Sequence, residues 1–194
     1  MDRSTLVKEA SQELLHNGKY PPTVLIQFAE HAIPIRRTLR PFPATAEQRQ
    51  QVLYQEGKFL GQSYPTWTIQ QVWFVCEAWV STNLRMAASQ DPKRREVLLV
   101  IGLDGTSPED PALRQQGEVL EMRRNKHKKI TSLSPLPELV TASEPVTPAG
   151  VLPLAFLAGF VDATAPTHPF SQYLREQIAR EQLRMRILIE EHTQ

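Results

Sequence analysis

Val72-Trp73-Phe74-Val75-Cys76-Glu77-Ala78-Trp79-Val80 is the densest run of β-branched and aromatic residues in the chain. Such side chains fit the pleated surface of a strand. Alternation along a strand puts Trp73, Val75, Glu77 and Trp79 on one face. Val72, Phe74, Cys76, Ala78 and Val80 fall on the other. Both faces are apolar apart from Glu77, so the run predicts a central strand covered on two sides.

Working outward, E-V-L-L-V-I-G-L at 96–103 is a second strong strand, also apolar on both faces. E-V-L-E-M-R at 118–123 predicts a third, and I-T-S-L-S at 130–134 a weaker fourth. Upstream, T-V-L-I-Q-F-A (23–29) is rich in β-formers. It leads through Glu30-His31 into A-I-P-I-R-R-T-L (32–39), where Pro34 cannot donate to a ladder and predicts an edge strand.

Helices flank this group. Residues 3–17 place Leu6, Val7, Ala10 and Leu14 on one face and stop at Asn17-Gly18. Thr45 with Gln48 forms a capping-box pattern for a helix over 46–60, which Gly57 weakens and Gly61 ends. Ser107-Pro108-Glu109-Asp110 predicts one short helical turn. Residues 135–150 have the Pro/Ser/Thr/Ala composition of a linker. Leu152–Ala163 is apolar nearly all round and so should be buried on several sides. Pro169–His192 is long and contains no Gly and no Pro after its first residue, suiting a helical hairpin with the helix before it.

Strands clustered between separated helices predict an α+β fold. The expected form is a mainly antiparallel sheet of four to five strands packed with helices, plus a C-terminal helical hairpin. The chain divides into a core at 1–134, the linker at 135–150, and the hairpin at 151–194. That hairpin packs on the core or on a second subunit.

The chain has 194 residues, and its 22 Lys and Arg nearly balance 21 Asp and Glu. A net charge of +1 supplies no global field for nucleic acid, membrane or acidic ligands, so such binding requires a local patch. Cys76 is the single cysteine, which excludes an internal disulfide. The charged N-terminus and the short apolar run Val151–Val161 predict a soluble, cytoplasmic protein without a membrane span.

Four stretches bear on chemistry. Glu77, framed by Trp73 and Trp79, would serve as an acid of raised pKa or as a clamp for a cationic or ring-bearing ligand. The ordinary reading is a strand carboxylate tied to an arginine or to a backbone or indole N–H. Strand register decides whether Glu121 or Arg123 meets it. Glu121, or Asp104 in a shared cleft, would make an acid/base pair; Arg123 would make a salt bridge. The ligand-binding set is thus Trp73, Glu77, Trp79 and Arg123. Cys76, mid-strand among apolar residues, predicts a small hydrophobe rather than a nucleophile.

V-L-L-V-I-G-L-D-G-T at 97–106 resembles the first motif of the haloacid dehalogenase-like phosphatases, a strand ending in D-x-D-G-T. Asp104, Gly105 and Thr106 match its second half, and Gly102 stands at the nucleophile's position. The resemblance therefore implies no phosphoryl-enzyme. The same residues make a strand followed by an Asp-Gly turn.

R-R-N-K-H-K-K at 123–129 is the candidate for anion or nucleic-acid binding, through Arg123, Arg124, Lys126, Lys128 and Lys129. Arg94 and Arg95, and Arg36, Arg37 and Arg40, could extend it. The run holds no aromatic residue for base stacking, and a solvated hairpin end has the same composition. His16, His31, His127, His168 and His192 lack metal-ligand spacing, and no phosphate-binding glycine loop or G-x-S-x-G elbow occurs. No metal or cofactor is expected. The functional expectation is binding or assembly without catalytic machinery, as a homodimer to which the C-terminal helices contribute. The alternatives are a carboxylate-based hydrolase or small-ligand enzyme centred on Glu77, and a nucleic-acid accessory protein using 123–129.

Overall fold

A computed structural model describes residues 2–81, 90–104, 113–136 and 151–191, with side chains as far as Leu183. In chain order the elements are α1 (Arg3–Asn17), β1 (Thr23–Phe28), β2 (Ile35–Thr38), α2 (Ala46–Ser63) and β3 (Ile69–Val80). They continue with β4 (Arg95–Asp104), β5 (Arg114–Arg124), β6 (Ile130–Pro135), α3 (Val151–Thr164) and α4 (Pro169–Glu191). The six strands form one sheet in the order β2-β1-β3-β4-β5-β6, every neighbour antiparallel. The α+β expectation holds, with one strand more than the upper estimate.

The run at 72–80 lies in an interior strand. β3 pairs with β1 on one side and β4 on the other, from Gln71↔Asp104 to Val80↔Arg95. Its alternation sorts the core into two layers. Val72, Phe74 and Cys76 join Val97, Leu99 and Ile101 beneath α2, α3 and α4. Trp73 and Val75 join Leu98 and Val100 beneath Leu6, Ala10 and Leu14 of α1. Apolar burial on both faces is the chief stabilising term for such a strand, at about 25 cal/mol per Å² removed from water.

Gly102 has a structural reason. A Cβ there would stand 2.4 Å from the Trp73 ring, so the indole lies directly on the β4 backbone at that point. The glycine that interrupts the phosphatase-like motif makes room for a core tryptophan. Asp104 ends β4, and the Asp-Gly turn and the helical turn at 107–110 fall outside the described residues.

Thr45 caps α2 as expected, its side chain accepting from the Gln48 amide at 3.3 Å. The helix does not stop at Gly61; it runs on to Ser63. The two glycines are contact points. A Cβ on Gly57 would lie 1.9 Å from the Phe156 carbonyl oxygen, and one on Gly159 would lie 1.9 Å from that of Tyr54. α2 and α3 therefore touch backbone to backbone.

α3 is buried from Val151 through Val161, as its all-round apolar sequence predicts. It shares one hydrophobic cluster with β3, β4 and Phe170 and Leu174 of α4, so the hairpin packs on its own sheet. Asp162 ties the three helices together. It accepts from Tyr54 Oη at 2.7 Å, from Arg175 Nη2 at 2.8 Å, and from the Ser171 hydroxyl. Pro135 belongs to β6 rather than to the linker, and 137–150 lie outside the described residues.

Candidate functional site

β3, β4 and β5 bring the chemistry-bearing side chains to one end of the sheet. On the α1 face Glu77 pairs in register with Leu98, and Leu98 with Leu120. Arg124, four residues beyond Leu120, reaches back over this face. It grips Glu96 with two hydrogen bonds of 2.6 Å, from Nε and Nη2. Its Nη2 also lies 3.7 Å from Glu77 Oε2. Glu77 Oε1 accepts from the Tyr20 amide, which fixes the connection from α1 to β1. Burial pushes the Glu77 carboxyl above its ordinary value, and the Tyr20 amide and Arg124 pull the other way. Arg124 is held protonated, chiefly by its hydrogen bond to Glu96.

The register keeps both candidate partner carboxylates away from Glu77. Glu121 pairs with Val97, and Val97 with Ala78, so Glu121 lies on the opposite face. Asp104 pairs with Gln71 at the far end of β3, roughly 20 Å along the strand from Glu77. Arg123 shares the Glu121 face, 3.9 Å from that carboxylate, and does not meet Glu77. The arginine that does is Arg124. The two indoles on the Glu77 face differ in setting: Trp73 is 1% exposed beneath α1, while Trp79 is 47% exposed at the strand end. Cys76 is buried in the other layer, its thiol pushed up to about 12 by burial, so it carries no thiolate at neutral pH.

The basic run forms the turn between β5 and β6. Asn125 organises it. Its Oδ1 accepts from the His127 amide at 2.9 Å and the Lys129 amide at 3.1 Å, and its carbonyl accepts from Lys128 N–H at 2.9 Å. Lys128 takes a left-handed backbone, φ 61°. Arg124 Nη1 donates to the Lys128 carbonyl at 3.0 Å, tying the turn to the Glu96 cluster. Lys126, His127, Lys128 and Lys129 are all exposed. Arg124 is thus a brace of the turn rather than one of its outward cations.

Strand order decides which other arginines join. Arg36 and Arg37 sit on β2, at the opposite edge of the sheet, paired with Glu13 at 2.8 Å and Glu56 at 3.1 Å. They do not extend the patch. Arg95 pairs with Val80 at the same sheet end as the turn. Beside it, Arg94 lies over the Trp79 ring, 4.6 Å from the centroid. This pairing of an indole with the basic end is invisible in the run 123–129 itself. It needed the β3–β4 register.

Among the described residues no group of three His, Cys, Asp or Glu side chains could hold a metal ion. Among the same residues no helix is long and apolar enough to cross a membrane. No family model, no curated protein and no solved structure matches the chain.

Proposed function

We propose that this protein acts by binding, without catalysing a reaction, and that its ligand is nucleic acid held by its phosphates at the β5–β6 turn. The observation that carries this reading is the ordering of the turn. Asn125 and Arg124 fix its backbone, so Lys126, Lys128 and Lys129 project from a set frame. Ordering the cations beforehand lowers the entropy lost when phosphates are gripped. Arg123, Arg94 and Arg95 add positive charge at the same end. The hydrolase reading has less support, because Glu77 is engaged by an amide and an arginine, and the carboxylate beside it, Glu96, is held by that same arginine.

Anisotropy of a labelled single-stranded oligonucleotide across a salt series tests it. Binding should weaken as salt rises, with a log–log slope of about −0.7 per neutralised phosphate. Replacing Lys126, Lys128 and Lys129 together by glutamine should flatten that slope by about 2 and weaken binding at low salt. Binding left unchanged by the triple substitution would exclude this surface.

A second reading, self-association as a homodimer, has its own observation. α3 is seated on its own sheet and offers a partner nothing, whereas Leu183 on the outer part of α4 is 58% exposed. A clasp between copies is proposed to run through that part of α4.

A further inference from the structure

We infer that Trp79 is a stacking platform for an unpaired base, so that the nucleic acid bound at this end is single-stranded. This rests on the phosphate-binding reading above and adds to it the form of the nucleic acid.

Along β3 the large side chains are consumed by the core. Trp73 is 1% exposed and Phe74 is 0%, yet Trp79 is left 47% exposed where the strand ends. Exposure alone does not set Trp79 apart, since Ile33 and Phe59 are exposed as well, but an indole adds a wide flat apolar face. It is well suited to a ligand with a flat apolar face. Arg94 lies against the same ring, and a guanidinium plane is also a surface on which bases stack.

The position matters as much as the exposure. Trp79 pairs with Glu96 on β4, Glu96 holds Arg124, and Arg124 holds the Lys128 carbonyl. Platform and lysines are therefore parts of one hydrogen-bonded frame: the turn lies two strand spacings, roughly 10 Å, across the sheet from β3, and begins three residues, roughly another 10 Å, beyond the level of Trp79. A strand whose phosphates meet Lys126–Lys129 has its neighbouring bases within reach of the indole. A duplex keeps its base faces stacked inside and would give Trp79 nothing to stack on. Because every base has a π-face, the platform imposes little sequence preference.

Tryptophan emission of the full chain provides the test. Trp73 is sealed in the core, and Trp67 is packed between Tyr64, His31 and Phe28, leaving Trp79 as the exposed indole among the three. A thymidine oligonucleotide, a duplex of the same length and heparin are titrated in turn. The single strand should quench the emission, and the duplex and heparin should not. Trp79→Leu should abolish the quench and weaken single-strand binding by about 5- to 100-fold, leaving heparin binding as it was. Trp79→Tyr, which retains a ring, should recover most of the lost affinity. Equal affinity for single strand and duplex, with no effect of Trp79→Leu, would overturn the stacking inference and leave phosphate binding standing. Absence of salt-dependent binding to all three would overturn both.

Discussion

Glu77 is the residue on which the catalytic and structural readings diverge, and its protonation has a measurable consequence. Burial raises its carboxyl above the ordinary value, so the folded chain holds this proton more tightly than the unfolded chain does. The stability it contributes is fully present below the ordinary carboxylate pKa. It is lost as pH rises through the raised one. Glu77→Gln keeps an acceptor for the Tyr20 amide but cannot ionise. The two proteins should therefore match at about pH 4, and the variant should be the more stable at about pH 7. Denaturant midpoints across that range measure the difference. Wild type outlasting the variant at neutral pH would mean that Arg124 attracts Glu77 more than burial repels its charge. The sequence left Glu121 and Arg123 as rival partners because a two-residue shift exchanges them on one face, while a slip of one residue turns both to the other face. The answer, Arg124, follows from the pairing of Glu77 with Leu98 and of Leu98 with Leu120, which no local pattern encodes.

At the scale of elements, α2 and α3 show how one residue type carries opposite meanings. Helix propensity alone makes Gly57 and Gly159 weak points, worth about 0.5–1 kcal/mol of stabilisation on replacement by alanine. Contact geometry reverses the sign. Each added Cβ would press to 1.9 Å of a carbonyl oxygen on the facing helix, and backbone cannot swing aside as a side chain can. Gly57→Ala and Gly159→Ala should each lower the unfolding free energy by about 1–3 kcal/mol or more, the usual range for overpacking, and so lower the denaturant midpoint. An unchanged or raised midpoint would show that the two helices can separate without loss. Spacing places Gly57 and Gly61 on one helix face, one turn apart. What separates a helix end from a helix crossing is the partner surface, and that lies far down the chain at Phe156 and Gly159. Strands and caps, by contrast, were legible locally. Pro34 placed β2 at an edge, and Thr45 with Gln48 began α2, since both effects act within a few residues.

At the scale of the whole molecule, the apolar surface of α3 decides which parts of the chain can be removed. Its sequence, apolar nearly all round, required burial on several sides but could not say whose surface supplied it. The fold seats α3 between the sheet and α2, with Phe170 and Leu174 of α4 closing over the same cluster. A chain ending at 148 would open this layer, exposing Val72, Phe74, Val97 and Ile101 to water. Exposed apolar area of that extent is incompatible with a stable monomer. A chain ending at 179 is a different case. It keeps Phe170, Leu174 and the Asp162 cluster and removes only the outer part of α4, where Leu183 is exposed. Light scattering joined to thermal melting should separate the two roles. The full chain should run as a dimer, the chain ending at 179 as a folded monomer, and the chain ending at 148 without a cooperative melt. A monomeric full chain would sink the self-association reading. A cooperative melt from the chain ending at 148 would mean that α3 is not needed to close the core.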